Sequence, residues 1–328
     1  MKQVQFQAAH EAAWLQLQAW LDAQSRHARR GEPAPALDDA DFAAAYRELC
    51  QHYALAQRRG YSASLLERLR ALVHRGHTQL YRPPRPRWRS TLDFVATGFP
   101  RAVHASRVQF GLAALLLFGP LLATIALLQW RPELVHTLFD ATELARIEEM
   151  YDPAATHQRI GRESGSDLSM FGFYVLNNVG IGFRTFASGL LGALGPVLIL
   201  AFNGVAIGGV AGHLTAIGYG GPLWRFVVGH SAPELLAIVI AGAAGLRVGM
   251  ALLAPGRRSR ARALVEEGQL GARLVLGAFA LLVLAAFIEA FWSSIGWLPD
   301  VVKFGSGGLL WLAIGLWLWR GGRAPAPE

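Results

Sequence analysis

The chain has 328 residues, 53% hydrophobic and only 16% charged, with a mean hydropathy of +0.30 and a formal charge of +8. That balance excludes an ordinary soluble protein and points to an integral membrane protein. The basic excess flanks apolar runs and no recognition motif accompanies it, so the positive-inside rule accounts for it and nucleic-acid binding is not expected.

Glycine is frequent, at 36 residues, as helices packed closely in lipid require, and 10 tryptophans suit anchoring at the membrane surface. Cys50 is the single cysteine, so no internal disulfide and no paired-cysteine metal motif can form. The opening stretch MKQVQFQAAHEAAW has no signal-peptide core, so the first hydrophobic span is expected to direct the chain to the membrane.

Residues 1–104 read as a helical cytosolic domain. Ala and Leu recur at helical spacing over about 2–30, 39–59 and 62–81, with the linker GEPAPALDD at 31–39 between the first two helices. Asp38 and Asp39 are suited to cap the second helix, and Ser62 or Ser64 the third. About half of the chain's 31 Lys and Arg lie here, which argues for the cytoplasmic side. His74 and His77 lack a companion carboxylate cluster and read as a solvated helix face. The stretch YRPPRPRWRSTLDF (81–94) forms a Pro/Arg-rich juxtamembrane hinge. Arg82, Arg85, Arg87 and Arg89, with Trp88 among them, suit an anionic lipid surface at roughly 1 kcal/mol per basic residue.

A transmembrane domain is expected over 105–320. Its first span, Val108 to Trp130, supplies about 34 Å of helix. Residues 131–168 then carry four Arg against eight Asp and Glu, a reversal that fits an extracytoplasmic segment, with one amphipathic helix over 132–152. Phe171–Phe186 contains Asn177, Asn178 and Arg184 and reads as either a short crossing or a re-entrant helix. Leu190–His213 is a span that Pro196 is expected to break. Gly204, Gly208 and Gly212 form a stripe for close helix packing, and a homo-oligomer is the expected use of such stripes. In the stretch Trp224–Met250 a near-continuous apolar helix begins with His230 and Glu234 one turn apart and carries Arg247 near its far end, the last expected to snorkel at the inner interface. Spans at about 272–292 and 304–319 follow, and 321–328 is disordered in composition. The loop GRRSRAR (256–262) and the residues Arg320 and Arg323 belong inside. With an inside N-terminus that parity favours six crossings, five being the alternative.

Charged groups inside such spans cost about 2.5–3.5 kcal/mol each unless paired or neutralised. Ser231-Ala-Pro-Glu234 has the form of a capping box, which is one account of Glu234. The other is a polar cluster: His230 and Glu234 stand one turn apart, and Glu289 reaches a similar depth on the next, antiparallel helix. Together they are placed to hold a proton or bind a cation. Asn177, Asn178 and Asn203 are the remaining intramembrane polar residues, Asn203 reading as an interhelical hydrogen-bonding group. With no H-E-x-x-H, phosphate-binding loop or nucleophile elbow, neither an enzyme nor a resident metal or cofactor is expected.

In these residues the chain resembles the stage II sporulation protein M family of bacterial membrane proteins. The resemblance rests on Asn177-Asn178, Gly189 with Gly192, Asn203-Gly204 with Gly208, His230…Glu234, and Glu289-Ala290-Phe291, in that order. The N-terminal part is similar to the longer members, with Tyr46-Arg47 and then His77…Tyr81 before the hinge. Where the family has Pro-His-Gly-x-x-Glu, Gly229 and Ser231 replace the Pro and the Gly. The resemblance implies an all-α, multi-pass protein of the bacterial cytoplasmic membrane with a cytoplasmic N-terminus, acting as a non-enzymatic cell-envelope scaffold. It also implies partners: membrane lipids, and a cytosolic AAA-type ATPase or envelope proteins. The alternatives are a transporter or channel built on the His230–Glu234–Glu289 cluster and the break at Pro196, and a membrane metallohydrolase built on the same cluster.

Overall fold

A computed structural model describes residues 2–30, 39–81, 88–154, 161 and 166–323; the side chains of residues 24–30, 39, 40 and 89 lie outside that description. Among the described residues the regular structure is helical throughout, with no β-strand. The chain divides into two units, residues 1–86 and 87–328.

The first unit contains α1 (Gln3–Arg30), α2 (Asp39–Arg58) and α3 (Ala63–Leu80). Apolar residues at three- and four-residue spacing, such as Trp14, Leu17 and Leu21 on α1 and Leu65, Leu69 and Leu72 on α3, meet in one core. Arg68–Glu11 at 2.7 Å and Arg75–Asp22 at 2.5 Å tie α3 to α1. His74 and His77 are exposed. Ser62 occupies the N-cap position of α3 without capping it. Its hydroxyl instead accepts from Gln3 Nε2 at 2.8 Å, while Gln3 Oε1 accepts from the Ser62 N–H at 2.9 Å. The expected cap is thus replaced by one from a neighbouring helix. The linker 31–38, with Asp38, and the hinge residues Arg82, Arg85 and Arg87 lie outside the described residues, as does the Arg89 side chain.

The second unit begins earlier than the sequence suggested. α4 (Trp88–Asp93), a π-helical turn (Phe94–Gly98) and α5 (Phe99–Ala105) belong to it rather than to the soluble part. The reason is Phe99, 1% exposed, whose ring stands 5.4 Å from that of Trp317 and lies against Gly277. Trp317 Nε1 also donates to Val95 O at 3.0 Å.

α6 (Arg107–Trp130) is followed by a 3-10 turn (Pro132–Thr137) and α7 (Ala141–Tyr151). The single helix expected over 132–152 is therefore two pieces, because the Asp140 carboxylate accepts from Glu143 N at 2.8 Å and starts a new helix there. α8 (Asp167–Ala187), α9 (Leu194–Ala216), α10 (Gly220–Val227) and α11 (Ser231–Leu253) come next. α12 (Arg260–Ile288) continues into a π-helical turn (Glu289–Ser293), and α13 (Asp300–Arg323) ends the described chain.

Among the described residues five helices, α6, α9, α11, α12 and α13, are long and apolar enough to cross a membrane. α8 is less apolar but lies along α12: the Phe171 ring is 6.2 Å from that of Phe287 near one end, and Phe186 meets Gly271 near the other. α11 is the central helix, with every residue from Ala237 to Leu246 buried, as a helix apolar on all sides requires.

Two expected features form differently. Pro196 does not break α9. It sits in the first turn, where the helix has no use for its N–H, and α9 runs unbroken for 23 residues. The helix expected to begin at His230 does start there, as α11, and a turn at Val228–His230 separates it from α10. The glycine stripe is taken up inside the chain. A Cβ at Gly208 would stand 2.5 Å from Leu121 O, and Gly204 and Gly212 meet the backbone of α6 at Leu117 and Ile125 in the same way. It therefore carries no argument for self-association.

A buried polar junction

The turn between α10 and α11 places His230 at the N-cap position of α11, but no side chain caps that helix. The capping box does not form. Ser231 is already helical, and its hydroxyl donates to Val228 O at 3.3 Å and accepts from Trp311 Nε1 at 3.0 Å. Released from a capping role, the Glu234 carboxylate turns to His230, with Oε2 3.6 Å from Nε2.

The π-helical turn at the end of α12 completes the group. Its widened spacing carries Glu289 and Ser293 toward α11, a known use of such turns. The other ring nitrogen, His230 Nδ1, meets Ser293 Oγ at 2.9 Å. Glu289, 8% exposed, accepts from Asn178 Nδ2 of α8 at 3.3 Å, and Asn177 Nδ2 donates to Asn178 Oδ1 at 3.0 Å. One donor atom from each of His230, Glu234 and Glu289 lies within 4.8 Å of the others. Burial, followed by the nearby Glu289 and Glu234, holds the Tyr151 phenol of α7 above its ordinary range.

Sequence reasoning missed Ser293, Tyr151 and Lys303. Lys303 is 0% exposed, and its Nζ donates to Ser293 O at 2.7 Å. A signal existed, for it is one of only two lysines in the chain and begins an apolar span. Arg225 was missed too. It donates to Gly296 O at 3.0 Å and Leu298 O at 2.8 Å and pairs with Asp300 at 2.9 Å, fixing the loop before α13.

Two sequence assignments are corrected. Asn203 is not in the junction. It stands midway along α9 and donates to Ile199 O of its own helix at 2.8 Å, so it bonds locally rather than between helices. Arg247 does not snorkel. It donates to Glu267 of α12 from Nε at 2.9 Å and Nη2 at 2.5 Å, and from Nη1 to Ala105 O at 3.2 Å. Both guanidinium bonds reach one oxygen, Oε2 of the largely buried Glu267, and this charge-assisted pair holds Arg247 against α12.

A second group, of two histidines and one carboxylate, lies in the first unit, where His10, Glu48 and His52 also bring donor atoms within 4.8 Å. Trp14 Nε1 donates to His52 Nδ1 at 3.2 Å, and the His10 and His52 rings lie 3.8 Å apart, tilted by 35°. An apolar cavity of about 340 Å³ lies between α8, α11 and α12, lined by residues such as Gly182, Phe183, Ala241 and Leu276 and by none of the junction residues.

Apolar spans around a central buried helix, with polar side chains joining them at one end, define a polytopic α-helical membrane protein. Residues 112–294, more than half of the chain, match the family model described as Stage II sporulation protein M. The chain belongs to that family. Residues 4–82 match a second model, described as a domain of unknown function (DUF8413). No curated protein and no solved structure matches the chain.

Proposed function

We propose that the protein is a non-enzymatic scaffold of the bacterial cytoplasmic membrane. It crosses six times with the Arg-rich loop 256–262 inside, and its N-terminal helical unit offers a docking surface to a cytosolic partner, an AAA-type ATPase or an envelope protein. The observation that carries this reading is that the polar groups of the junction are engaged between elements. Asn178 joins α8 to the π turn, Ser293 joins that turn to His230, and Lys303 joins α13 to it. Such bonds fix helices against one another, as a rigid platform requires.

A transporter is the second reading, because the His230–Glu234–Glu289 group is the kind of site proton and cation carriers use. It has lost its other support, the broken helix at Pro196, and the cavity beside α8 is apolar. Proteoliposomes loaded with a pH-sensitive dye decide between the two. The scaffold reading expects no flux above protein-free vesicles; flux that disappears in Glu289→Gln would replace it with the transporter. In a Cys50→Ser background, a cysteine introduced at Ser259 should be shielded from impermeant maleimide applied outside, and labelling there would overturn the six-crossing topology.

A further inference from the structure

We propose that His230, Glu234 and Glu289 bind one divalent first-row transition ion, with zinc as the reference case. The inference is independent of whether the chain is a scaffold.

Geometry comes first. Four-coordinate zinc with bonds of about 2.0–2.2 Å holds its donors about 3.4 Å apart. His230 Nε2 and Glu234 Oε2 are already 3.6 Å apart, and all three donors lie within 4.8 Å, a gap that rotation of the glutamate side chains closes. Glu234 is the least buried of the three, with 19% of its side chain exposed.

The surrounding bonds present the donors correctly. His230 Nδ1 and Ser293 Oγ stand 2.9 Å apart and either can donate; the tautomer protonated at Nδ1 donates to Ser293 and leaves the Nε2 lone pair facing Glu234. That is the tautomer a metal ligand needs, and an outer hydrogen bond usually fixes it. Ser293 is itself held, since its carbonyl accepts from Lys303. Asn178 donates to Oε2 of Glu289, which orients that carboxylate and leaves Oε1 for the ion. One imidazole and two carboxylates, with a fourth position open to water, suit a borderline divalent ion rather than a soft monovalent one.

Charge points the same way. Two carboxylates brought together in a buried place repel, and a shared proton neutralises only one of them. A divalent cation neutralises both.

The His10–Glu48–His52 group supplies the contrast. There Trp14 donates to His52 Nδ1, so the ring proton belongs on Nε2, the atom 3.9 Å from Glu48, and the lone pair a metal needs is absent. The two groups share their donor spacing but not their composition, two histidines and one carboxylate here against one histidine and two carboxylates there, and their outer hydrogen bonds differ as well.

The test uses the full chain purified in mild detergent, loaded with Zn²⁺, desalted and assayed for metal by mass spectrometry. About one zinc per chain is expected. It should be lost in Glu289→Gln and His230→Gln, weakened about 10- to 100-fold in Ser293→Ala, and kept in His52→Gln. Loading the unmodified protein with Co²⁺ should give the visible absorption of a four-coordinate site, a readout that stands even if a variant fails to fold. No metal on the unmodified chain, retention in both Glu289→Gln and His230→Gln, or loss in a folded His52→Gln would each overturn the proposal.

Discussion

Asn178 Nδ2 donates to Glu289 Oε2 at 3.3 Å, joining residues 111 apart in the chain inside the membrane unit. The bond explains why an amide stands on α8 and a carboxylate at the end of α12. Replacing Asn178 by Leu keeps the volume and removes the donor, leaving a buried carboxylate oxygen short of a partner. A loss of about 1–3 kcal/mol is expected. Thermal unfolding in detergent measures it, and Asn178→Leu melting with the unmodified protein would remove the bond from the account of stability.

Arg247 and Glu267 fasten the opposite end of α11 to α12, with both side chains under a fifth exposed. Arg247→Gln should cost about 2–4 kcal/mol, because it strands a largely buried carboxylate; Arg258, 3.3 Å from Glu267, limits the damage. A double-mutant cycle with Glu267→Gln should return a coupling of about 1–3 kcal/mol. Additive losses would mean that the two groups act independently.

The parallel packing of α6 and α9 rests on backbone contact at glycine. Gly208→Val brings its Cβ to 2.5 Å from Leu121 O and must push the helices apart, whereas at Gly111 nothing lies within 4 Å of a Cβ. Overpacking of at least about 2–3 kcal/mol is expected at the first position and within about 0.5 kcal/mol of neutral at the second. Yield of folded protein by size-exclusion chromatography compares them directly.

Burial, and after it His10, holds the His52 imidazole below its ordinary value of 6.5, while Glu48 opposes the shift. The unfolded chain therefore binds a proton that the folded unit resists. This contribution to stability is present above the ordinary histidine pKa and is lost as the pH falls below it. Amide hydrogen exchange over residues 3–81 of the full chain should show weaker protection at about pH 5 than at about pH 7.5. His52→Gln should shrink the difference. An unchanged pH response in that variant would assign the effect elsewhere.

Helix positions were legible because length, apolar runs and periodicity act along the chain. The three N-terminal helices and the span over Arg107–Trp130 fall within a residue or two of expectation. The shared depth of His230, Glu234 and Glu289 was legible for the same reason, since counting residues from a basic loop along two antiparallel helices requires no knowledge of packing.

Where one residue had two possible partners, the sequence could not choose between them. Ser62 could cap α3 but meets Gln3. Glu234 could cap α11 but faces His230. Arg247 could reach lipid headgroups but finds Glu267. The glycine stripe could serve a second copy but is filled by α6. Pro196 reads as a breaker until its position in the first turn is known. Hydropathy and backbone propensity are properties of a segment, readable one residue after another. A hydrogen bond or an ion pair forms with whatever group folding brings within about 3 Å, and that neighbour comes from a distant part of the chain.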